Sequence, residues 1–380
     1  MSLPNGIRSR YLDNGNGLSV HLLEAGFDQV DRPLLLLLHG FPELAYSWRK
    51  VMLPLAAAGF HVVAPDQRGY GETRGWDNRY EGDLASFRFL NLVQDMLGLV
   101  WALGYPTVRA VVGHDFGSSV AGCCALIRPD IFRSVVMMSA PFTGAPAFVN
   151  DEGNKDPRLP STPATKGKDI HAALAELTPP RKHYQWYYST PDANPNMWRS
   201  ADGVHAFLRA YYHHKSADWE LNQPFELNAW RAEDLAQLPR YYIMDLNKGM
   251  AETVAPEMPS ARHIESCRWL TENELSHYSR IYEATGFQGG LQWYRCVTRG
   301  DNARDLRVFS RQTINVPSCF ISGRQDWGVF QKPGDFATMQ HDTCTDLRGC
   351  HLVEEAGHWV QQEQPDAVAA HLIEFLNSTA

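Results

Sequence analysis

The sequence predicts an α/β protein: a mostly parallel central sheet with helices on its faces, interrupted by a mainly helical insertion. Three observations carry this. Short apolar runs of strand length alternate with longer helical patterns up to Thr143. Most of the runs stop abruptly at Gly or Pro. Strand character then lapses and returns only at Pro317. The 380 residues, 44% of them hydrophobic and 21% charged, suffice for a large core and exclude a disordered or fibrous chain.

The elements follow in order. Leu34–Leu38 is an unbroken apolar run stopped by His39-Gly40, the pattern of a strand buried on both faces. Residues 46–58 are helical in pattern, and Gly59 ends them. His61–Ala64 reads as a strand halted by Pro65, and Phe87–Leu103 as a helix closed by Gly104. Arg109–Val112 is a strand, Ser118–Ile127 a buried helix and Ser134–Met138 another strand. From 144 to 165 Gly, Pro, Asn and Asp dominate, as in a loop; from about 166 to 296 the chain is helical and rich in Tyr and Trp. Strands return at Pro317–Ile321 and Cys350–Val353, and an amphipathic helix over about 366–376 closes the chain. The expected division is a discontinuous catalytic unit, 1–143 with 297–380, and a helical cap, 144–296.

Composition excludes several functions. A net charge of −8 without basic runs leaves no electrostatic footprint for nucleic acid. No apolar run approaches the roughly 20 residues of a spanning helix. The N-terminus lacks a basic segment followed by an apolar one, and the seven cysteines form no Cys-x-x-Cys pair, so a cytoplasmic protein with reduced thiols is expected. His213-His214 near Asp218 point in different directions on a helix and read as surface, not as a metal site.

The chemistry-bearing residues lie just past strand ends. Gly113-His114-Asp115-Phe116-Gly117 has the spacing of a nucleophile elbow, a tight strand-to-helix turn with small residues flanking a strained central one. Its central residue is Asp115, and carboxylates serve as covalent nucleophiles. Asp326 follows the 318–321 strand, and His358 in Gly357-His358-Trp359 follows the last strand, which gives the order nucleophile, acid, base. His39-Gly40-Phe41-Pro42 follows the Leu34–Leu38 strand, where main-chain N–H groups of Phe41 and Phe116 can face a developing oxyanion.

These motifs, with Tyr46-Ser47-Trp48-Arg49 and Asp66-Gln67-Arg68-Gly69-Tyr70-Gly71-Glu72, resemble the soluble epoxide hydrolases of the α/β-hydrolase superfamily. Within the cap, His183-Tyr184-Gln185-Trp186-Tyr187 and the stretch from Gly286 to Arg295 resemble the segments carrying that family's two cap tyrosines. The resemblance implies the α/β-hydrolase fold and a cofactor-independent conversion of an epoxide to a vicinal diol. Asp115 would form an ester, His358 with Asp326 would activate water, and Tyr184 and Tyr294 would donate to the epoxide oxygen. The expected partner is a small apolar epoxide. His39, Pro42, His114, Trp186, Trp293, Trp327 and Trp359 are the candidates for the pocket walls.

The chain departs from the family in two ways. Phe116 replaces the commoner Trp after the nucleophile, and the cap carries extra length around 190–265, which leaves room for a narrower pocket or a homo-oligomer interface. Haloalkane dehalogenases share the Asp nucleophile but hold halide with an indole N–H after it, where Phe116 has no donor. Fluoroacetate dehalogenases place an Arg there. A non-catalytic binding protein on the same fold is the remaining alternative, against which the intact set of five side chains stands.

Overall fold

A computed structural model of the chain describes residues 3–29, 31–148 and 169–379. Most of the loop expected at 144–165 lies outside those residues. The strands are β1 (Ile7–Asp13), β2 (Ser19–Ala25), β3 (Leu34–Leu38), β4 (His61–Pro65), β5 (Ala110–His114), β6 (Val135–Met138), β7 (Arg181–His183), β8 (Ile243–Asp245), β9 (Ser318–Gly323) and β10 (Leu347–Val353). Eight of them form one sheet in the order β1-β2-β4-β3-β5-β6-β9-β10. From β4 to β10 neighbours run parallel, while β1 and β2 pair antiparallel at one edge. The main helices are α1 (Arg49–Ala57), α2 (Phe89–Ala102), α3 (Phe116–Ile127), α4 (Tyr184–Tyr188), α5 (Gly203–Lys215), α6 (Glu272–Thr285), α7 (Gln288–Thr298) and α8 (Pro365–Ser378). No helix among the described residues is long and apolar enough to cross a membrane.

The central strands form because helices cover both sheet faces. All five leucines of β3 are buried, alternating between two apolar clusters: Leu34, Leu36 and Leu38 pack with α2 and α3, Leu35 and Leu37 with α1 and α8. Burial on this scale contributes about 1.5–3 kcal/mol per side chain. The β1–β2 hairpin escapes a reading by apolar runs because polar residues interrupt it. Glu24 in β2 is fully buried, yet Arg8 and Arg10 of β1 reach it at 2.6 and 2.7 Å. Its carboxyl is pulled down to about 2: burial would raise it, and hydrogen bonds from His61, Arg10 and Arg8 more than reverse that.

The insertion is not purely helical. β7 and β8 pair antiparallel with each other alone, which ties the segment Tyr241–Asp245 to the strand that leads into Tyr184. Helices α5, α6 and α7 lie against the loops at the carboxyl ends of the parallel strands. Tyr212 Oη donates to the carbonyl of Pro42 (3.0 Å), Tyr282 Oη to that of Glu43 (3.1 Å) and Trp293 Nε1 to that of Arg68 (2.9 Å).

Buried Asp66, just past β4, holds two of those loops. Its Oδ1 accepts from the Ala45 N–H at 2.8 Å; its Oδ2 accepts from the Glu72 N–H at 2.9 Å and from His21 Nδ1 at 2.7 Å. Burial would raise this carboxyl, but the His21 bond, the neighbouring histidine charge and the backbone donors pull it down to about 2. Because the folded value lies below the unfolded one of ~3.9, its stabilisation is present above that value and lost as pH falls toward about 2. Asp66→Asn is expected to lower stability by about 2–4 kcal/mol at neutral pH. In urea melts across the acid range it should also flatten the loss of stability between about pH 4 and 2.

Candidate active site

Asp115 sits between β5 and α3 with φ 53° and ψ −119°, a backbone conformation that L-residues other than Gly rarely adopt. Packing around it enforces the turn. A Cβ on Gly113 would lie 2.0 Å from the carbonyl oxygen of Gly117, and a Cβ on Gly117 2.3 Å from that of Leu38. The Asp115 N–H is held by the Met138 carbonyl at 3.1 Å, and its own carbonyl accepts from the Ser118 N–H at 3.0 Å. The carboxylate therefore projects past the sheet edge. The Phe41 N–H donates to Oδ1 at 3.0 Å, and His358 Nε2 lies 3.3 Å from Oδ2 without hydrogen-bond alignment. Phe116 opens α3 and turns its ring toward Tyr294, centroids 4.8 Å apart.

His358 is fixed from several sides. Its Nδ1 faces Asp326 Oδ1 and Oδ2 at 3.1 and 3.2 Å. Asp326, just past β9, also accepts from the Gly328 N–H (2.7 Å) and Ser322 Oγ (3.2 Å). The His358 N–H donates to the Lys215 carbonyl at 2.9 Å. Its own carbonyl accepts from His114 Nε2 at 2.6 Å, which leaves His114 Nδ1 against the buried carboxylate of Glu43 at 2.5 Å. Burial pulls His114 down, but the Glu43 charge and hydrogen bond more than offset it, so His114 holds its proton above the ordinary imidazole range. Asp115 goes the other way: burial alone would raise it, and His358, Lys215 and His114 together hold it below the usual carboxylate range. Asp326 is lowered for similar reasons, with burial opposed first by His358.

A cavity of about 330 Å³ opens over Asp115, lined by Phe89, Phe116, Phe142, Tyr184, Tyr294 and Val329 among others. Of these, Tyr184 and Tyr294 have their ring centroids 5.9 Å apart. Tyr184 is positioned by the β7–β8 pair, its N–H donating to the Tyr242 carbonyl at 2.8 Å. Its hydroxyl donates to Gln331 Oε1 and accepts from Gln185 Nε2, both at 3.2 Å. Tyr294 comes from α7, which is buried on all sides from Gln288 to Cys296. Burial, reinforced by the nearby Asp115 charge, raises both phenols well above their ordinary value, so both keep their protons.

The structure thus brings Asp115, Asp326, His358, Tyr184 and Tyr294 together, with the N–H of Phe41 on the carboxylate. It does not place the seven expected wall residues on this cavity. Trp293 and Trp359 are buried with their indole N–H groups donating to the Arg68 and Tyr212 carbonyls. His39 accepts from the Gln67 N–H at 3.1 Å and faces the Gly40 carbonyl with its other nitrogen at 2.9 Å. His114 supports His358 from below, Trp186 packs on His171 and His183, and Trp327 on Phe225. Pro42 gives its carbonyl to Tyr212. Nearness in sequence to a site residue is a poor guide here, because neighbours on a strand end or helix point to opposite sides. The walls come instead from α2, α3 and segments 140–146 and 297–335.

α7 can seat Tyr294 only because two glycines meet. A Cβ on Gly289 would lie 2.0 Å from the Gly69 carbonyl oxygen, and one on Gly69 2.6 Å from the Gly289 carbonyl carbon. Gly289→Ala should push α7 off the loop after β4. The expected cost is about 1–3 kcal/mol in thermal melts, with altered near-ultraviolet circular dichroism from the displaced Trp293 and Tyr294.

The α/β hydrolase fold family matches residues 33–365. Epoxide hydrolase A of Mycobacterium tuberculosis is 31% identical, the alignment covering 98% of each chain. Epoxide hydrolase B of the same organism is 30% identical over 96% of each. Among solved structures, an epoxide hydrolase from an endophytic Streptomyces superposes with a TM-score of 0.75 at 30% identity, covering 98% of this chain and 96% of that one.

Proposed function

We propose that this chain, which belongs to the epoxide hydrolases of the α/β-hydrolase superfamily, hydrolyses an apolar epoxide to a vicinal diol through an ester on Asp115. One observation carries the reading: a carboxylate held between a main-chain N–H and an imidazole lines the same cavity as two protonated phenols. The lid that supplies those phenols is assigned to residues 144–296, and the hydrolase core to 1–143 with 297–380.

The chemistry follows from the geometry. Oδ1 of Asp115 is tied to the Phe41 N–H, so Oδ2 is the attacking atom. It bonds to an epoxide carbon as that carbon's bond to oxygen breaks, and the leaving oxygen, still on the substrate, takes a proton from Tyr184 or Tyr294. Oδ1 is then the ester carbonyl oxygen, already facing an N–H donor; that of Phe116, at the start of α3, is assigned as the second. His358 takes a proton from water, Asp326 stabilises the imidazolium, and the water oxygen adds to the carbonyl carbon. Collapse breaks the bond between the carbonyl carbon and Oδ2, which leaves in the diol and takes the proton from the His358 imidazolium. A water-derived oxygen stays on Asp115, whose remaining carboxyl proton returns to the tyrosinate.

The same pocket disfavours dehalogenation. The indole N–H groups of Trp293 and Trp359 are committed to backbone carbonyls, and Phe116 offers none for a halide.

A single turnover in heavy-oxygen water is expected to place label in the Asp115 carboxylate, read by peptide mass spectrometry. His358→Gln should accumulate an Asp115 ester with an epoxide that wild type turns over. Unlabelled Asp115, or halide release from alkyl halides without diol formation from epoxides, would rule the mechanism out. Replacing both Tyr184 and Tyr294 with Phe should slow ester formation by roughly 10²–10⁴-fold in rapid-mixing measurements. Either single change should cost less, since the second phenol still reaches the oxygen.

A further inference from the structure

Lys215 is the last residue of α5 and is almost fully buried, at 4% exposure. Its ammonium sits among four aromatic rings, 5.3 Å from the centroid of Trp359, 5.4 Å from Tyr242, 5.6 Å from Tyr211 and 5.7 Å from Tyr241. Three separate pieces of chain build this cage: Tyr211 one turn earlier on α5, Tyr241-Tyr242 leading into β8, and Trp359 beside His358. Among the described residues no carboxylate lies within ion-pair distance of the ammonium. The Lys215 carbonyl meanwhile accepts from the His358 N–H at 2.9 Å, which binds the cage to the catalytic loop.

The charges around it make the position informative. Burial lowers the Lys215 ammonium from its ordinary value, and the charges of Asp115, Asp326 and Glu43 oppose that by favouring its charged form. Glu43 is matched by His114, and Asp326 faces His358 Nδ1 and two further donors. Asp115 has the neutral Phe41 N–H and the edge of an imidazole already committed to Asp326. Lys215 is a buried ammonium whose charge bears on both Asp115 and Asp326. An ion-pair partner would cancel the field of the ammonium. π faces hold a cation without adding net charge, so its field stays available to the site.

We propose that Lys215 is a positioning residue: its caged ammonium is the fixed counter-charge that keeps Asp115 and Asp326 ionised on either side of His358. The inference rests on the ester mechanism above. Other titratable groups face the same site. Tyr70, Tyr184, Tyr211, Tyr241, Tyr242 and Tyr294 are raised by burial and stay neutral, while His39 and His214 are lowered by burial and stay neutral. Glu363, which accepts from the N–H groups of Ala217, Gly357 and Trp359, is pushed by burial up to about 8. It is common to every variant compared below, so differences between variants report on Lys215.

The test compares wild type with Lys215→Met and Lys215→Arg, following kcat/KM and single-turnover ester formation and decay from pH 5 to 9. Loss of the cation favours the protonated form of each acid in its field. The acid limb of Lys215→Met is therefore expected about one pH unit higher, roughly a tenfold loss of kcat/KM at a pH on that limb. Lys215→Arg should keep the wild-type limb. Support for the His358 loop through the main-chain carbonyl survives every substitution and moves no limb. A methionine limb that coincides with wild type overturns the proposal, as does an arginine limb displaced as far as the methionine one. Lys215→Gln repeats the measurement if the methionine variant melts below the assay temperature. Heavy-oxygen label in wild-type Asp115 with unmoved limbs defeats the role of Lys215 alone. Absence of that label defeats the ester mechanism and this inference with it.

Discussion

The turn at Asp115 is the constraint on which the rest of the site depends. Its backbone lies where an L-residue is strained, at φ 53°, and such strain persists only when the surroundings over-determine it. Here β3, β5 and the start of α3 approach so closely that no side chain fits at Gly113 or Gly117. The return is geometric. The carboxylate stands clear of the sheet, beside the Phe41 N–H from one strand end and the imidazole of His358 from another. A parallel sheet makes this convergence natural, since its carboxyl ends gather loops from distant parts of the chain on one edge.

A second layer fixes those loops to one another and to the helices packed on them. Glu43, fully buried, accepts from His114 and from the side-chain amides of Gln361 and Gln362, and its carbonyl accepts from Tyr282. His114 in turn grips the His358 carbonyl. Glu363 spans the seam between the chain after α5 and the His358 loop, through the N–H groups of Ala217, Gly357 and Trp359. Each is a buried polar group with its partners supplied, the condition under which such groups add rigidity instead of a penalty. The histidine is thereby located through its main chain as well as through Asp326.

The segment 190–265 has a visible structural use. Tyr241–Asp245 matches no recognisable motif, yet β8 within it pairs with β7, and the Tyr242 carbonyl holds the N–H of Tyr184. The same segment contributes two walls of the Lys215 cage. Residues far apart in sequence therefore set both the Tyr184 phenol and the caged ammonium.

The sequence by itself determined the α/β alternation, the strand ends that carry Asp115, Asp326 and His358, and the two tyrosine segments. The first two are local patterns, a run of leucines with no polar break and a Gly-x-Asp-x-Gly turn; the tyrosine segments are legible only as a family resemblance. Tertiary structure alone decided what depended on partners distant in the chain. The β1–β2 hairpin hides Glu24 and His21, which become tolerable in a core only once Arg8, Arg10 and Asp66 reach them. The cavity walls follow from which way each ring turns, and so Trp293 and Trp359 spend their indole N–H groups on backbone carbonyls while Phe89, Phe142 and Val329 line the cavity beside Asp115. Lys215 has no local signal at all: on a helix it reads as a solvated charge, and its burial is decided by rings 26, 27 and 144 positions further along the chain.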